Sequence, residues 1–153
     1  MIVNLIDFIL FFSLNSDGKM KVIPECSNAV DSAMTTWENY VSTSIHKKII
    51  IIGHSYGGVV TMQLARKFKT DFEDRVISVL LTDSVHGNSS FPKTLAKQSI
   101  NFVASDRPLD SDLGKDSSGL MVKSAGHKVH EWTPSSSRNC LFHYFGLYNN
   151  GKE

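Results

Sequence analysis

Only two cysteines, Cys26 and Cys140, occur in the 153 residues. They form neither a metal-ligand spacing nor a disulfide framework, so they read as free thiols of an intracellular protein, with no metal site and no cofactor expected. An excess of one charge is also missing. With 16 Lys+Arg against 15 Asp+Glu the formal net charge is +1, too little to hold a polyanion, so direct nucleic-acid binding is not expected. Dense basic clusters are absent, and Lys47-Lys48 and Arg66-Lys67-Phe68-Lys69 read as solvated surface. There are no repeats or low-complexity stretches, which excludes repeat arrays and compositionally biased disorder. The apolar start, residues 1–12, has no Lys or Arg before it, is interrupted by Asp7 and shows no small-residue cleavage site. It is also well short of the roughly 20 residues that cross a bilayer, so neither secretion nor membrane insertion is expected. Residues 1–19 read instead as an apolar N-terminal segment, either a buried strand or a mis-assigned start.

What is present is the composition of a globular domain. Hydrophobic residues make up 41% and charged residues 20% of the chain, enough apolar material for one buried core at this length. Within it, Ile49-Ile50-Ile51-Ile52-Gly53-His54-Ser55-Tyr56-Gly57-Gly58 runs from an apolar strand into Gly-x-Ser-x-Gly. That is the sequence form of a nucleophile elbow, in which a serine sits on a strained strand-to-helix turn. Gly53 and Gly57 leave room where side chains would collide, and the following helix sets its unpaired amides and positive dipole end beside Ser55. Val59, Val60, Met62, Leu64, Ala65 and Phe68 give that helix an apolar face. The motif points to an α/β-hydrolase fold, with Ser55 as candidate nucleophile, the Tyr56 amide as an oxyanion donor, and Gly53, His54, Gly57 and Gly58 as the elbow.

Other segments alternate in the same way. Residues 27–45 carry Val30, Ala33, Met34, Trp37 and Val41 at helical spacing, with Ser27 or Asn28 as cap. Residues 75–82 contain Val76, Ile77, Val79, Leu80 and Leu81, the apolar pattern of a buried parallel strand, ending at Asp83. A short helix over 91–99, strands over 100–104 and 120–124, and an aromatic helix over 139–148 follow, with 110–119 as a polar loop. The predicted fold is α/β: three layers, a mostly parallel sheet with helices on both faces, and functional groups at the strand C-terminal ends.

Those ends supply an ordered set. Asp106 and Asp110 follow the strand over 100–104, and His127 and His130 follow the last strand. Serine, then acid, then histidine is the chain order of an α/β-hydrolase triad, in which the histidine takes the serine proton and the acid fixes its tautomer. Either histidine could be the base and either aspartate the acid. Asp83 and His86, in Thr82-Asp83-Ser84-Val85-His86, form a further polar cluster, and Asp83 is an alternative acid.

Taken together, these residues resemble a known family, the argonaute-binding-protein domain family, whose animal members are called cotranscriptional regulators. The resemblance rests on the helix bearing Trp37, His54-Ser55-Tyr56-Gly57-Gly58, Leu81-Thr82-Asp83-Ser84-Val85-His86, and Asn101-Phe102-Val103 leading to Pro108-Leu109-Asp110. It continues through Ser124-Ala125-Gly126, His130-Glu131 and the aromatic final helix, covering about residues 20–146. It implies an α/β-hydrolase-like fold, a role in small-RNA-guided silencing, heterochromatin and cotranscriptional RNA processing, protein partners of the argonaute or chromatin type, and a nuclear or cytoplasmic location. It carries the triad-like positions onto Ser55, Asp110 and His130. Family domains have further strands and helices before the Trp37 helix, so residues 20–148 are expected to be the C-terminal half of the fold, N-terminally truncated, with 149–153 as tail. A second oxyanion donor would come from the half that is missing, and the sheet is expected to present an open edge. An interaction domain is the first functional expectation, and a serine hydrolase acting on an ester or acyl group is the alternative.

Overall fold

The structure, a computed structural model, describes residues 2–5, 12–14, 20–22, 26–86 and 92–150, with side chains described over 26–86 and 92–146. The strands are β1 (Ile2–Leu5), β2 (Phe12–Leu14), β3 (Met20–Val22), β4 (Ile49–His54), β5 (Val76–Thr82), β6 (Ile100–Val103), β7 (Asp112–Lys115) and β8 (Met121–Ser124). The helices are α1 (Ala29–Thr36), α2 (Gly57–Lys67), α3 (Lys69–Arg75), α4 (Lys93–Ala96), α5 (Thr133–Ser136) and α6 (Arg138–Asn150). One six-stranded sheet runs in the order β1-β4-β5-β6-β8-β7 and a two-stranded antiparallel sheet joins β2 to β3. Within the large sheet every pairing is parallel except β7 with β8.

The isoleucine run explains how the sheet is covered on both faces. Successive strand residues point to opposite sides. Ile49 and Ile51 enter one core with Ala33, Trp37, Leu64 and Phe72, whereas Ile50 enters another with Leu80, Phe102 and Leu141. Helices α1 to α3 therefore close one face and α6 the other, giving the expected three-layer α/β fold with the uniformly apolar strands of a doubly covered parallel sheet.

The helix expected over 27–45 is α1 followed by a single π-helical turn, Trp37–Val41. Asn28 caps it, its side-chain oxygen accepting from the Asp31 amide at 3.0 Å. Trp37 is buried, stacks on Phe68 and Phe72, and donates its indole N–H to Asp71 at 2.9 Å. Arg75, ion-paired to Asp71 at 2.9 Å, donates to the Val41 carbonyl at 2.9 Å and so fastens the end of the π-helical turn to α3.

Several details differ from the sequence reading. The polar loop over 110–119 contains β7, an exposed edge strand with a shift in its register against β8. The short helix covers only Lys93–Ala96, and Phe91 lies outside the described residues. The edge of β4 is not open, because β1 pairs along it from Ile2↔Ile50 to Leu5↔Gly53. Cys26 and Cys140 are free, as expected.

Candidate functional site

β4 delivers Ser55 to the C-terminal end of the sheet in a left-handed conformation, φ 50°, a region that non-glycine residues enter only when their surroundings enforce it. The enforcement is visible. The Ser55 amide donates to the Thr82 carbonyl at 3.0 Å, and its own carbonyl accepts from the Gly58 and Val85 amides, each at 3.2 Å. A side chain at Gly53 would come within 3.2 Å of the Gly57 backbone, so glycine there lets the turn close without crowding. Tyr56 precedes α2 and carries an exposed ring. The loop that follows β1 lies outside the described residues.

His54 does not serve as a base toward solvent. It is buried, its Nδ1 lies 2.9 Å from the Thr82 carbonyl and 3.0 Å from the Thr82 hydroxyl, and its ring packs 4.5 Å from that of His130. His130, on a one-turn 3₁₀ helix (His130–Trp132) after β8, places Nδ1 2.7 Å from Asp83 Oδ2. Asp83 is also left-handed, φ 43°. Its amide donates to the Phe102 carbonyl at 2.7 Å, and its Oδ1 accepts from the Ala104 amide at 3.1 Å. One carboxylate oxygen is thus spent on holding the ends of β5 and β6 together, and the other is aimed at the histidine. Among the described residues Ser55 Oγ makes no side-chain hydrogen bond, so the serine and the Asp83–His130 pair share one end of the sheet without a completed relay.

The pairing of His130 with Asp110 carried over from the resemblance is therefore not the one formed. Asp110, φ 67°, donates its amide to the Ser124 carbonyl at 2.9 Å and pairs its carboxylate with Lys123 Nζ at 2.9 Å. This anchors it at β8, toward the sheet edge, whereas Asp83 follows β5, the strand next to the elbow strand. Tyr144, and then Asp110, hold the Lys123 ammonium well above the usual lysine range against an opposing effect of burial. Burial also pushes the nearby Cys140 thiol up, with the Asp110 charge adding to it. Asp106 is exposed and lies 3.9 Å from Lys128. His127 Nδ1 accepts from the Val129 amide at 3.1 Å, a local loop role.

The cluster noted at Asp83 and His86 divides in two. Asp83 goes to His130, while buried His86 lies between Ser84 and Asp116. Asp116 was missed because it sits in the segment read as a loop. The available signal was Asp116-Ser117-Ser118-Gly119, a turn whose first side chain bonds the Ser118 and Leu120 amides. A cavity of about 320 Å³ opens beside the elbow, bounded by Ile52, His54, Thr82, Pro134, Leu141 and Phe142. Its mostly apolar wall suits a small hydrocarbon group. Among the described residues no group of three or more metal-ligating side chains occurs, and no helix is long and apolar enough to cross a membrane.

Comparison with known proteins adds a family-level match. A family model described as the Arb2 domain matches residues 13–109. The chain is similar to the Cotranscriptional regulator ARB2A homolog of Dictyostelium discoideum, 36% identical over 125 residues that cover 76% of this chain and 32% of the relative. It is 31% identical to the Xenopus tropicalis homolog over 75% of this chain and 29% of the relative. Against human Cotranscriptional regulator ARB2A the identity is 26% over 80% and 31%, respectively. The chain thus spans about a third of the length of these curated relatives. No solved structure matches it.

Proposed function

This chain belongs to the Arb2 domain family, and on that premise we propose that it is a regulatory interaction domain of cotranscriptional gene control, binding argonaute- or chromatin-type proteins in the nucleus. The observation that carries the reading is where its exposed apolar side chains lie. Tyr56, Val85, Leu109, Val129 and Trp132 are five of the eight large hydrophobic side chains exposed among the described residues. All five stand on segments that leave the C-terminal ends of β4, β5, β6 and β8. Single exposed apolar residues are ordinary; a set gathered at one end of a sheet, including Trp and Tyr, is the composition of a protein-binding surface. The near-neutral charge argues for a protein partner over nucleic acid. The test is affinity capture from nuclear extract at moderate salt with the folded chain and with Trp132→Ser. Recovery of an argonaute or chromatin component by the wild type, reduced in the variant, is expected; recovery of neither by the wild type would overturn the assignment.

A second reading, hydrolysis of an ester or acyl group, is favoured by Ser55 on its left-handed turn and by the 2.7 Å Asp83–His130 pair. In it Ser55 Oγ attacks the acyl carbonyl, His130 takes the serine proton and returns it to the leaving alcohol, and Asp83 steadies the imidazolium. Water then releases the acid from Ser55. Catalytic hydrogen bonds are often open without substrate, so the Ser55–His130 contact would close on binding. Turnover of an activated ester that Ser55→Ala leaves unchanged would refute this assignment.

A further inference from the structure

We propose that Ser84, His86 and Asp116 form a second, preassembled serine–histidine–aspartate relay and that Ser84 is a nucleophile toward activated acyl and phosphonyl donors, independent of Ser55. The contacts are continuous. Ser84 Oγ lies 2.6 Å from His86 Nδ1, and His86 Nε2 lies 3.1 Å from Asp116 Oδ2. With the Ser84 hydroxyl donating to Nδ1 and Nε2–H donating to Asp116, one tautomer satisfies both bonds, which is the arrangement of nucleophile, base and orienting acid. Among the described residues Ser55 has no such base within hydrogen-bond reach.

The orienting acid is itself fixed. Asp116 Oδ1 accepts from the Ser118 amide at 2.8 Å, the Ser118 hydroxyl at 2.6 Å and the Leu120 amide at 3.1 Å, leaving Oδ2 for the histidine. The His86 side chain is only 4% exposed, so its ring is enclosed between its two partners. Ser84 is half-buried, its amide held by Asn101 at 3.2 Å. Its hydroxyl lies against the first turn of α2, where a side chain at Gly58 would overlap Ser84 Oγ and come within 2.9 Å of Ser84 Cβ. Glycine at 58 thus admits the hydroxyl to the positive end of an 11-residue helix, which favours developing negative charge.

The step balances without a further reactant. Ser84 Oγ bonds to the electrophilic carbon or phosphorus, its proton passes to His86 Nδ1, and the leaving group departs with its bonding pair. Mass spectrometry of the folded chain after exposure to a fluorophosphonate reads this out, fluoride being the leaving group. A phosphonyl adduct on the peptide bearing Ser84 is expected in the wild type and in Ser55→Ala, and is lost in Ser84→Ala. Asp116→Asn keeps an oxygen for Ser118 and Leu120 but favours the wrong histidine tautomer, so labelling should slow on the order of ten-thousandfold while circular dichroism is unchanged. An adduct only at Ser55, no adduct on a folded chain, or wild-type labelling by a folded Asp116→Asn variant would each overturn the proposal. The first of these would leave the Ser55 reading standing, and loss of reactivity at Ser55 alone would leave this one standing.

Discussion

Replacing Gly126 with alanine perturbs the hinge between β8 and the segment that carries His130, and its cost can be worked out in parts. Gly126 has φ 67°, and a Cβ there would lie 2.9 Å from Leu109 Cβ, 3.0 Å from Leu109 Cα and 3.1 Å from Leu109 N. Two of those atoms are backbone, and the backbone is pinned. The Asp110 amide donates to the Ser124 carbonyl at 2.9 Å, and the Ser124 hydroxyl donates to the Arg107 carbonyl at 2.8 Å. The neighbour cannot yield cheaply. Left-handed strain contributes about 1–2 kcal/mol and overpacking about 1–3 kcal/mol. Gly119, φ 86° with nothing within 4 Å of a built Cβ, supplies the control, because Gly119→Ala carries the strain and the lost unfolded-chain entropy but no clash. In urea titrations Gly126→Ala should therefore lose about 1–3 kcal/mol more than Gly119→Ala. Leu109→Ala should not rescue it, since the Cβ, Cα and N of residue 109 remain. Equal losses at the two glycines would refute the argument.

Further outcomes follow from the packing and charge arrangement. Trp37→Ala should cost about 3–5 kcal/mol and Trp37→Phe less, because the stack on Phe68 and Phe72 survives; thermal melts check this, and a wild-type melt for Trp37→Ala would contradict the core assignment. Lys123 has a folded-state pKa above its unfolded value, so its contribution is complete below about pH 10.4 and is lost as pH rises from there toward the folded value. Lys123→Met should accordingly lose less stability than wild type between pH 8 and pH 11 in urea titrations, and parallel losses would show that the Tyr144–Asp110 contacts do not stabilise the fold. If Ser55 turns over esters, Asp83→Asn should lower kcat on the order of ten-thousandfold while Asp110→Asn leaves it within a few fold; the reverse ranking in an ester assay would return the acid role to Asp110.

The parts of the fold legible in the sequence are those whose local pattern agrees with their burial. The isoleucine run of β4 and the apolar run of β5 are covered on both faces, so nearly every residue carries the signal. β7 carries none. Asp112-Leu113-Gly114-Lys115 is an exposed edge strand with three polar or glycine positions, and its strand state comes only from pairing to β8. α3 is similar. Lys69–Arg75 holds one buried apolar residue, Phe72, and its helix is secured from outside, by Trp37 bonding Asp71 and by Arg75 reaching the carbonyl of Val41.

At the site, order along the chain was too weak a filter. Asp83, Asp106 and Asp110 all fall between Ser55 and His130, so each satisfies serine, acid, histidine. What separates them is strand adjacency. β5 lies beside β4 in the sheet, so a residue one step past β5 stands next to the elbow, while Asp110 is carried across β6 to β8. The left-handed turn at Asp83 does the rest, since it points one carboxylate oxygen at Ala104 and the other at His130. The same turn sends the next residue, Ser84, toward α2 and His86 instead of along a continuing strand. One strained residue after β5 thus places both the carboxylate that holds His130 and the hydroxyl that meets His86. Asp83→Gly, which relaxes the turn and removes the carboxylate, should therefore disturb both histidines in NMR spectra, whereas Asp83→Asn, which keeps a hydrogen-bonding side chain, should shift His130 and leave His86 in place.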